Sequence, residues 1–141
     1  VFLLLNSLMI LRPAQWLFID TSVAGVCRVG MMTDKRQAVA ELQARSGALL
    51  PAIAKIGTAS LQKMTGICVV HGPGSFSSVR GGVLIANLLS RAYHVPLVGI
   101  TVREAENLDR VWEGLVANAF PPRSFVEPLY DAEPNITVAR T

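Results

Sequence analysis

The sequence predicts an α/β fold: a mixed five-stranded sheet with flanking helices. Three short strand-like segments follow one another early in the chain with little room between them, which is typical of antiparallel hairpins. Further along, strand and helix patterns alternate, which indicates parallel strands joined by helical crossovers. Hydrophobic residues make up 51% of the chain and charged residues only 16%, so either a large buried core or an apolar partner surface is expected.

The organising segment is Ile67–Arg91, which predicts a strand, a Gly-rich turn and a helix. Ile67–Val70 is short enough for a buried strand, and His71–Gly74 interrupts it. Ser75 is placed to cap the helix that follows, because its hydroxyl can accept a hydrogen bond from an unpaired helical N–H. Apolar residues leave little of this helix polar, so a largely buried helix is expected. The turn itself has two interpretations: an anion site at a helix N-terminus, or a tight turn without a ligand.

The early strands are predicted from short apolar runs. Trp16–Ile19 forms the first and ends in the small polar residues Asp20, Thr21 and Ser22. Ala24–Met32 forms the second, and a tight turn between them favours a hairpin. Gln37–Leu42 is either a third antiparallel strand or the start of a helix. Its Ala, Gln and Glu residues are poor strand formers, so residue types favour a helix.

A helix is predicted over Ser46–Ile56, where Leu49, Leu50, Ile53 and Ile56 recur at helical spacing. Ser46 can cap this helix, and Pro51 should either kink it or move its start to a later residue. Thr58–Thr65 is expected to be a polar connection that Leu61 anchors.

After the central helix, His94–Ile100 predicts a strand parallel to Ile67–Val70. Thr101–Leu115 predicts one charged helix, and its apolar side is more typical of core than of an interface; that side contains Ala105, Leu108, Val111, Trp112 and Leu115. From Val116 the pattern fails and prolines recur, so the tail should lie over the surface or be mobile. The expected organisation is a leader over 1–13, a folded lobe over 14–115 and an irregular Pro-rich tail over 116–141.

Composition excludes several function classes. The apolar run Phe2–Leu11 is too short to span a bilayer and lacks signal-peptide flanks, so we interpret it as an upstream extension. The net charge of +3 is spread without a basic run, so direct nucleic-acid binding is not indicated. Cys27 and Cys68 are expected to be reduced thiols, and His71 and His94 have no ligand spacing for a metal.

Two separated motifs resemble the TsaB family, also called YeaZ. One is Ile19–Ser22, Ile-Asp-Thr-Ser, and the more specific one is His71–Gly82, with Gly-Pro-Gly-Ser-Phe followed by Arg80. Ser46, Leu49, Leu50 and Pro51 resemble a family helix, and the Pro128–Thr137 segment is similar to the C-terminal end of some bacterial members. The chain departs from the family pattern at Ser77, Ser78 and Gly81, and at Arg45 and Gly47.

The resemblance implies a lobe of the actin, sugar-kinase and Hsp70 type (ribonuclease H-like), with the second lobe largely missing, since about forty residues follow Gly99. It implies a non-catalytic dimerisation subunit of the complex that adds threonylcarbamoyl to the adenosine beside the anticodon of tRNAs reading A-starting codons. The partners implied are a catalytic TsaD-type subunit and a TsaE-type ATPase, or a second copy when the chain is alone. The resemblance also implies a cytoplasmic protein that meets no membrane and meets tRNA only through the complex. No cofactor is expected in this chain, because ATP and a metal belong to the partner subunits.

The candidate site residues follow from the central helix and from the resemblance. No catalytic or metal-binding residue is assigned. The partner-interface candidates are Leu49, Leu50, Ile53, Ser75, Phe76, Val79, Arg80 and Val83. A separate anion-binding turn would involve Asp20, Thr21, Gly72, Gly74 and Ser75.

Two enzymatic alternatives are weighed against this hypothesis. The first is a small nucleotide-binding ATPase or kinase-like enzyme of the actin-like superfamily. The chain has neither a P-loop nor a Gly-x-Gly-x-x-Gly motif to support it. The second is a hydrolase that pairs His71 with a nearby serine, for which no orienting acid can be named.

Overall fold

The computed structural model describes residues 13–43 and 48–130, which form a five-stranded sheet with helices on both faces. The strands are β1 (Gln15–Asp20), β2 (Val26–Thr33), β3 (Gln37–Gln43), β4 (Gly66–Gly72) and β5 (Leu97–Thr101). The helices are α1 (Leu49–Ile56), α2 (Thr58–Lys63), α3 (Phe76–Tyr93) and α4 (Leu108–Val116), with a 3₁₀ turn over Glu104–Glu106.

The strand order is β3-β2-β1-β4-β5. The first three strands pair antiparallel, whereas β4 pairs parallel with both β1 and β5. The predicted mixed sheet, the early hairpin and the strand–helix–strand crossover are therefore confirmed. No helix among the described residues has the length and apolar character needed to cross a membrane.

Side-chain alternation along the strands divides the core into two layers. Leu17 and Ile19 of β1 face α1, α2 and α3, while Phe18 faces α4. β4 is buried on both faces, which explains why Ile67–Val70 is a continuous apolar run. Trp112 and Leu115 of α4 pack in the second layer, so their prediction as core residues is confirmed.

The segment Gln37–Gln43 is a strand, which confirms the first of the two alternatives and the predicted count of five strands; the preference that its residue types give to a helix does not hold. β3 pairs with β2 over its whole length, from Met32↔Gln37 to Val26↔Gln43. The hairpin closes through the Thr33 N–H, which donates to the Arg36 carbonyl at 2.8 Å. Ladder hydrogen bonds to an already formed neighbour thus override the weak intrinsic preference of Ala, Gln and Glu.

The helix boundaries differ from the prediction in three places. α1 begins at Leu49, so Pro51 lies in its first turn, where the missing N–H removes no helical hydrogen bond. Thr58–Lys63, predicted as a polar connection, is the short helix α2, and Leu61 is its buried anchor as expected. The single helix predicted over Thr101–Leu115 is interrupted, because Asn107 is extended and its side chain accepts from the Arg110 N–H, which starts α4.

Some predictions fall beyond the described residues. Ser46 as a cap, the leader over 1–12 and the tail from 131 lie outside them, and the division into leader, lobe and tail stays a prediction. Ser75 does occupy the cap position of α3, but its hydroxyl contacts the Ser78 hydroxyl and caps no helical N–H.

The described tail lies against the folded lobe and is fixed there by specific hydrogen bonds. Asn87, buried on α3, donates from Nδ2 to the Val126 carbonyl and accepts at Oδ1 from the Val126 N–H, both at 2.9 Å. Further along, the Leu129 N–H donates to the His71 carbonyl at 2.7 Å. The tail therefore packs over the surface through one buried side chain, Val126, and a few backbone contacts.

We expect Asn87→Ala to lower the free energy of unfolding by about 2–3 kcal/mol, because it leaves the buried N–H and carbonyl of Val126 without partners. Urea unfolding followed by circular dichroism measures the change. Leu88→Ala is the matched control one residue away: Leu88 is 58% exposed, and its loss should change stability by no more than about 0.5 kcal/mol. Equal effects of the two substitutions would contradict this role of Asn87.

Candidate partner-docking site

An apolar groove of about 490 Å³ lies between the β1–β2 turn and the helices α1 and α3. Its walls come from Val23 and Val26 of the turn region, Leu49 and Leu50 of α1, and Ile85 of α3. Small residues of α3 line the rest, namely Ser77, Ser78, Gly81 and Gly82. An open apolar groove beside a helix is suited to apolar side chains of another protein.

The groove exists because α3 approaches the end of β1 closely. Gly82 packs directly on the Thr21 side chain, and a Cβ at this position would overlap with Thr21 atoms. The Thr21 hydroxyl also donates to the Ser78 carbonyl at 2.7 Å. These contacts hold the first turns of α3 against the strand, so the opposite side of those turns faces outward.

That outward side continues the groove as an exposed stripe along α3. Gly81, Leu84 and Leu88 follow one another at helical spacing, and Leu84 and Leu88 are 57% and 58% exposed. Leu50 of α1 and Val23 of the turn, each 57% exposed, lie on the two walls of the groove. We call the groove together with this stripe the α1/α3 face.

Among the interface candidates, four are accessible. Leu50 and Phe76 are exposed large hydrophobics, and Ser75 and Arg80 are exposed beside them. The Arg80 guanidinium lies 4.9 Å from the centre of the Phe76 ring, and Phe76 in turn contacts Tyr130 of the tail with 4.8 Å between ring centres. These contacts orient Arg80 at the start of α3.

The other four candidates are buried in the lobe, and their contact with a partner stays a prediction. Ile53, Val79 and Val83 are buried against the sheet, and Leu49 belongs to the same core and reaches only the groove wall. The helical pattern identifies an apolar face but does not say which residues the sheet will cover. Leu84, Leu88 and Val23, which were not among the candidates, are exposed large hydrophobic residues on this side of the lobe. A Leu pair four residues apart beside Arg80 and Arg91 was the available signal.

Several groups of the predicted anion-binding turn have partners within the chain. The Gly74 N–H donates to the Leu129 carbonyl at 3.3 Å, and Gly72 has a φ of +123° that only glycine adopts easily. Ser75 contacts Ser78, and Thr21 is bound to the Ser78 carbonyl. An anion at this turn stays a prediction, and it would have to displace the tail.

Asp20 is buried at the end of β1 and accepts four hydrogen bonds. Its Oδ1 accepts from the N–H and hydroxyl of Ser22 at 2.9 and 2.6 Å. Its Oδ2 accepts from Nε and Nη2 of Arg28 at 3.0 and 2.7 Å. The carboxylate therefore neutralises Arg28 and fixes the turn after β1.

His71 is a turn residue in this arrangement. Its Nδ1 lies 3.3 Å from the Glu127 carbonyl, which can only accept, so Nδ1 carries the hydrogen of this bond. Within residues 13–43 and 48–130, no group of three or more His, Cys, Asp or Glu side chains is placed to hold a metal ion.

The fold and site define the chain as an actin-like α/β lobe with an apolar side. The family model for TsaD, tRNA N6-adenosine threonylcarbamoyltransferase, matches residues 41–118, more than half of the chain, and the chain belongs to this family.

Solved structures share the fold. YeaZ from Pseudomonas aeruginosa superposes with a TM-score of 0.56 at 22% identity, covering 62% of this chain and 44% of YeaZ. A structure described as an uncharacterized protein with similarity to peptidase YEAZ, from the same organism, gives a TM-score of 0.56 at 22% identity, with 62% and 43% covered. The resemblance to YeaZ read from the sequence is thus confirmed, and the chain spans less than half the length of these structures. No curated protein sequence matches the chain.

We expect both thiols to be unreactive in the folded chain. Burial raises the pKa of Cys68 far above its usual value, with smaller contributions from Glu104 and Asp20, and burial together with Asp20 raises the pKa of Cys27. Both thiols should therefore stay protonated and resist alkylation by iodoacetamide near pH 8, and should react fully in urea. Rapid labelling of the native chain would contradict this.

The same shifts predict how stability depends on pH. A raised thiol pKa keeps the folded thiol protonated while the unfolded one ionises above its usual 9.0. The stabilising contribution is therefore complete below that value and is lost as the pH rises above it. Urea midpoints measured from pH 7 to 10.5 should fall above about pH 9, and Cys68→Ala should flatten that fall.

Proposed function

We propose that this chain is a non-catalytic interaction subunit of a tRNA-modifying complex. In this proposal it serves the threonylcarbamoyl transfer to the adenosine next to the anticodon of tRNAs that read A-starting codons. It acts in the cytoplasm by dimerising with a catalytic TsaD-type subunit, which works with a TsaE-type ATPase. It meets tRNA only through the complex. The observation that carries the proposal is the exposed α1/α3 face on a lobe of this family.

The α1/α3 face has the properties of a protein-binding surface. Leu50, Leu84 and Leu88 are each more than half exposed. Leu50 lines the groove, and Leu84 and Leu88 follow Gly81 of the groove wall at helical spacing along α3. Contiguous exposed apolar surface on a folded lobe is typical of an interaction site. A groove between two helices is suited to an amphipathic helix, which inserts side chains three and four residues apart.

Gly81 provides a second, independent argument. A Cβ at this position would meet nothing within 4 Å, so the fold of this chain does not require a glycine there. A glycine inside an exposed helical turn destabilises the helix by about 1 kcal/mol relative to alanine. Close approach of a partner backbone to this point of α3 explains why so small a residue is favourable.

The chemistry in this proposal belongs to the partners. Asp20, the only carboxylate at the strand end that matches the family motif, is fully engaged with Ser22 and Arg28. Within the described residues no group of three or more His, Cys, Asp or Glu side chains is placed to hold a metal ion, which supports an interaction subunit over the alternative of a small ATPase or kinase-like enzyme. ATP and the metal are accordingly assigned to the TsaE-type and TsaD-type subunits.

Leu84→Asp should weaken binding to the TsaD-type subunit roughly thirtyfold or more, because it places a charge in a desolvated apolar contact. Isothermal titration of the purified pair measures the affinity. Val116→Asp is the matched control, since Val116 is similarly exposed at 53% but belongs to α4 on the other face of the sheet. Equal affinities of the two variants, or ATP turnover by the isolated chain without a partner, would contradict the proposed role.

Gly81→Ala should change the stability of the chain and its affinity for the TsaD-type subunit in opposite directions. We expect the free energy of unfolding to rise by about 1 kcal/mol, since the methyl group has open space and alanine favours the helix. We expect affinity for the TsaD-type subunit to fall at the same time, by about 1–3 kcal/mol, because the methyl group overpacks the contact. A variant that is more stable and binds unchanged would show that no partner approaches this point of α3.

A further inference from the structure

The acidic and basic residues of the chain are segregated along the sequence. Between Glu41 and Glu104 the chain contains no Asp or Glu, while Lys and Arg recur throughout that stretch. The stretch includes α1, α2 and α3, so the helical layer on one face of the sheet carries cations and no acid. The net charge of +3 over the whole chain conceals this separation.

The topology brings these cations to one end of the sheet. α1, α2 and α3 each have a basic residue in the last turn, namely Lys55, Lys63 and Arg91. α2 ends shortly before β4 begins, and α3 ends shortly before β5 begins, so both last turns lie at the edge where these strands start. α1 follows the end of β3 and packs on β2, and it runs towards the same edge.

Two loops add further cations at this edge. The turn between β2 and β3 contains Lys35 and Arg36, and it lies beside the start of β1 because the end of β2 pairs with that start. Arg123 of the tail bridges Leu97, the first residue of β5. We call this edge the basic end. Its cations are all exposed, and they are Lys35, Arg36, Lys55, Lys63, Arg91 and Arg123.

The cations of the basic end are available to a ligand. None of them has an ion-pair partner among the described residues, whose ion pair joins Arg28 to Asp20 at the opposite end of the sheet. Asp34 in the β2–β3 turn and Glu113 near the end of α4 are the acids near the basic end, so cations outnumber acids there. The cations in the last helical turns also complement the helix dipoles, but the loop cations have no such role.

We propose that the basic end contacts the phosphate backbone of tRNA within the threonylcarbamoyl-transfer complex. The inference rests on the proposed function for the identity of the RNA, since the matching family model is that of an enzyme acting on tRNA. From β3 to β5 the edge spans four strand spacings, about 19 Å. A nucleic-acid backbone carries one charge per nucleotide, so a duplex that crosses this width presents several phosphates to the cations.

The basic end is suited to phosphates and not to bases or lipid. Ile56 and Tyr93, the large apolar side chains in the last turns of α1 and α3, are partly buried against the core. Stacking on bases needs an exposed aromatic ring, and binding in a membrane surface needs exposed apolar side chains beside the cations. The contact should therefore be independent of base sequence, and each cation that meets a phosphate should add to the salt dependence of binding.

The basic end and the partner groove are at different ends of the lobe. The groove lies beside Thr21 at the end of β1 and beside the first turns of α3. The basic end lies where β1 begins and where α3 ends. A TsaD-type subunit on the α1/α3 face therefore leaves the basic end open to RNA.

Removing charges tests the location of the contact. Lys63→Gln together with Arg91→Gln should weaken tRNA binding by the complex at least about fivefold and lower the slope of log affinity against log salt by about 2. Arg103→Gln together with Arg110→Gln is the matched control, because both are exposed cations at the opposite end, and it should change neither quantity. Fluorescence anisotropy of a labelled tRNA transcript, titrated at several salt concentrations, measures both.

Isothermal titration with the TsaD-type subunit separates this inference from the proposed function, because both double variants should bind that subunit as the unchanged chain does. Equal tRNA affinities of the two double variants would overturn the RNA contact. Failure of the unchanged chain to bind the TsaD-type subunit would overturn the proposed function. The tRNA comparison is then made on the chain alone, where the same difference between the variants is expected and its absence overturns the contact.

Photocrosslinking tests the contact without removing a cation. Gln62→Cys places an exposed thiol next to Lys63, and Glu106→Cys places one at the opposite end, while the native thiols are buried. After labelling with benzophenone maleimide, Q62C in the complex should crosslink to tRNA at least roughly tenfold more than E106C. Equal crosslinking would contradict the proposal. Binding to vesicles of phosphatidylcholine and phosphatidylserine that tRNA does not displace would also contradict it and assign the basic end to a membrane.

Discussion

The close approach of α3 to the end of β1 determines the rest of the structure. Thr21 donates to the Ser78 carbonyl, and Gly82 lies directly on the Thr21 side chain, so the first turns of the helix are held on one strand end. A helix fixed in this way has a defined inner and outer side. Val79 and Val83 become core, and the outer residues become the α1/α3 face.

The same helix also holds the tail, so folding and docking depend on one element. Asn87 pairs with both backbone groups of Val126, and Phe76 contacts the Tyr130 ring. The tail in turn covers the β5 edge at Leu97, which leaves β3 as the edge without a neighbouring strand in the part of the chain that the structure describes.

Patterns within a segment predicted most strands and helices correctly. The predictions failed where contacts between distant segments determine the structure. The continuous apolar run before Gly72 predicted the central strand correctly, because a strand that is buried on both faces requires apolar residues at every position. Residue types alone favoured a helix for β3, because its pairing with β2 is not visible in them, and only the count of five strands pointed to a strand. A helix that is apolar nearly all round does not reveal which side the sheet covers, so the sequence did not separate the buried Val79 and Val83 from the exposed residues of α3. Asn87 is a single amide in an otherwise apolar helix. A buried amide needs hydrogen-bond partners, so this residue could have indicated that the tail packs against α3.

Hydrogen–deuterium exchange, measured with and without the TsaD-type subunit, tests the central claim most directly. The α1/α3 face is proposed to be covered in the complex, so exchange should slow in Leu49–Ile56 and in Phe76–Tyr93. Exchange in Leu108–Val116, on the opposite face of the sheet, should not change. Protection confined to Leu108–Val116, or no protection at saturating partner, would contradict the account.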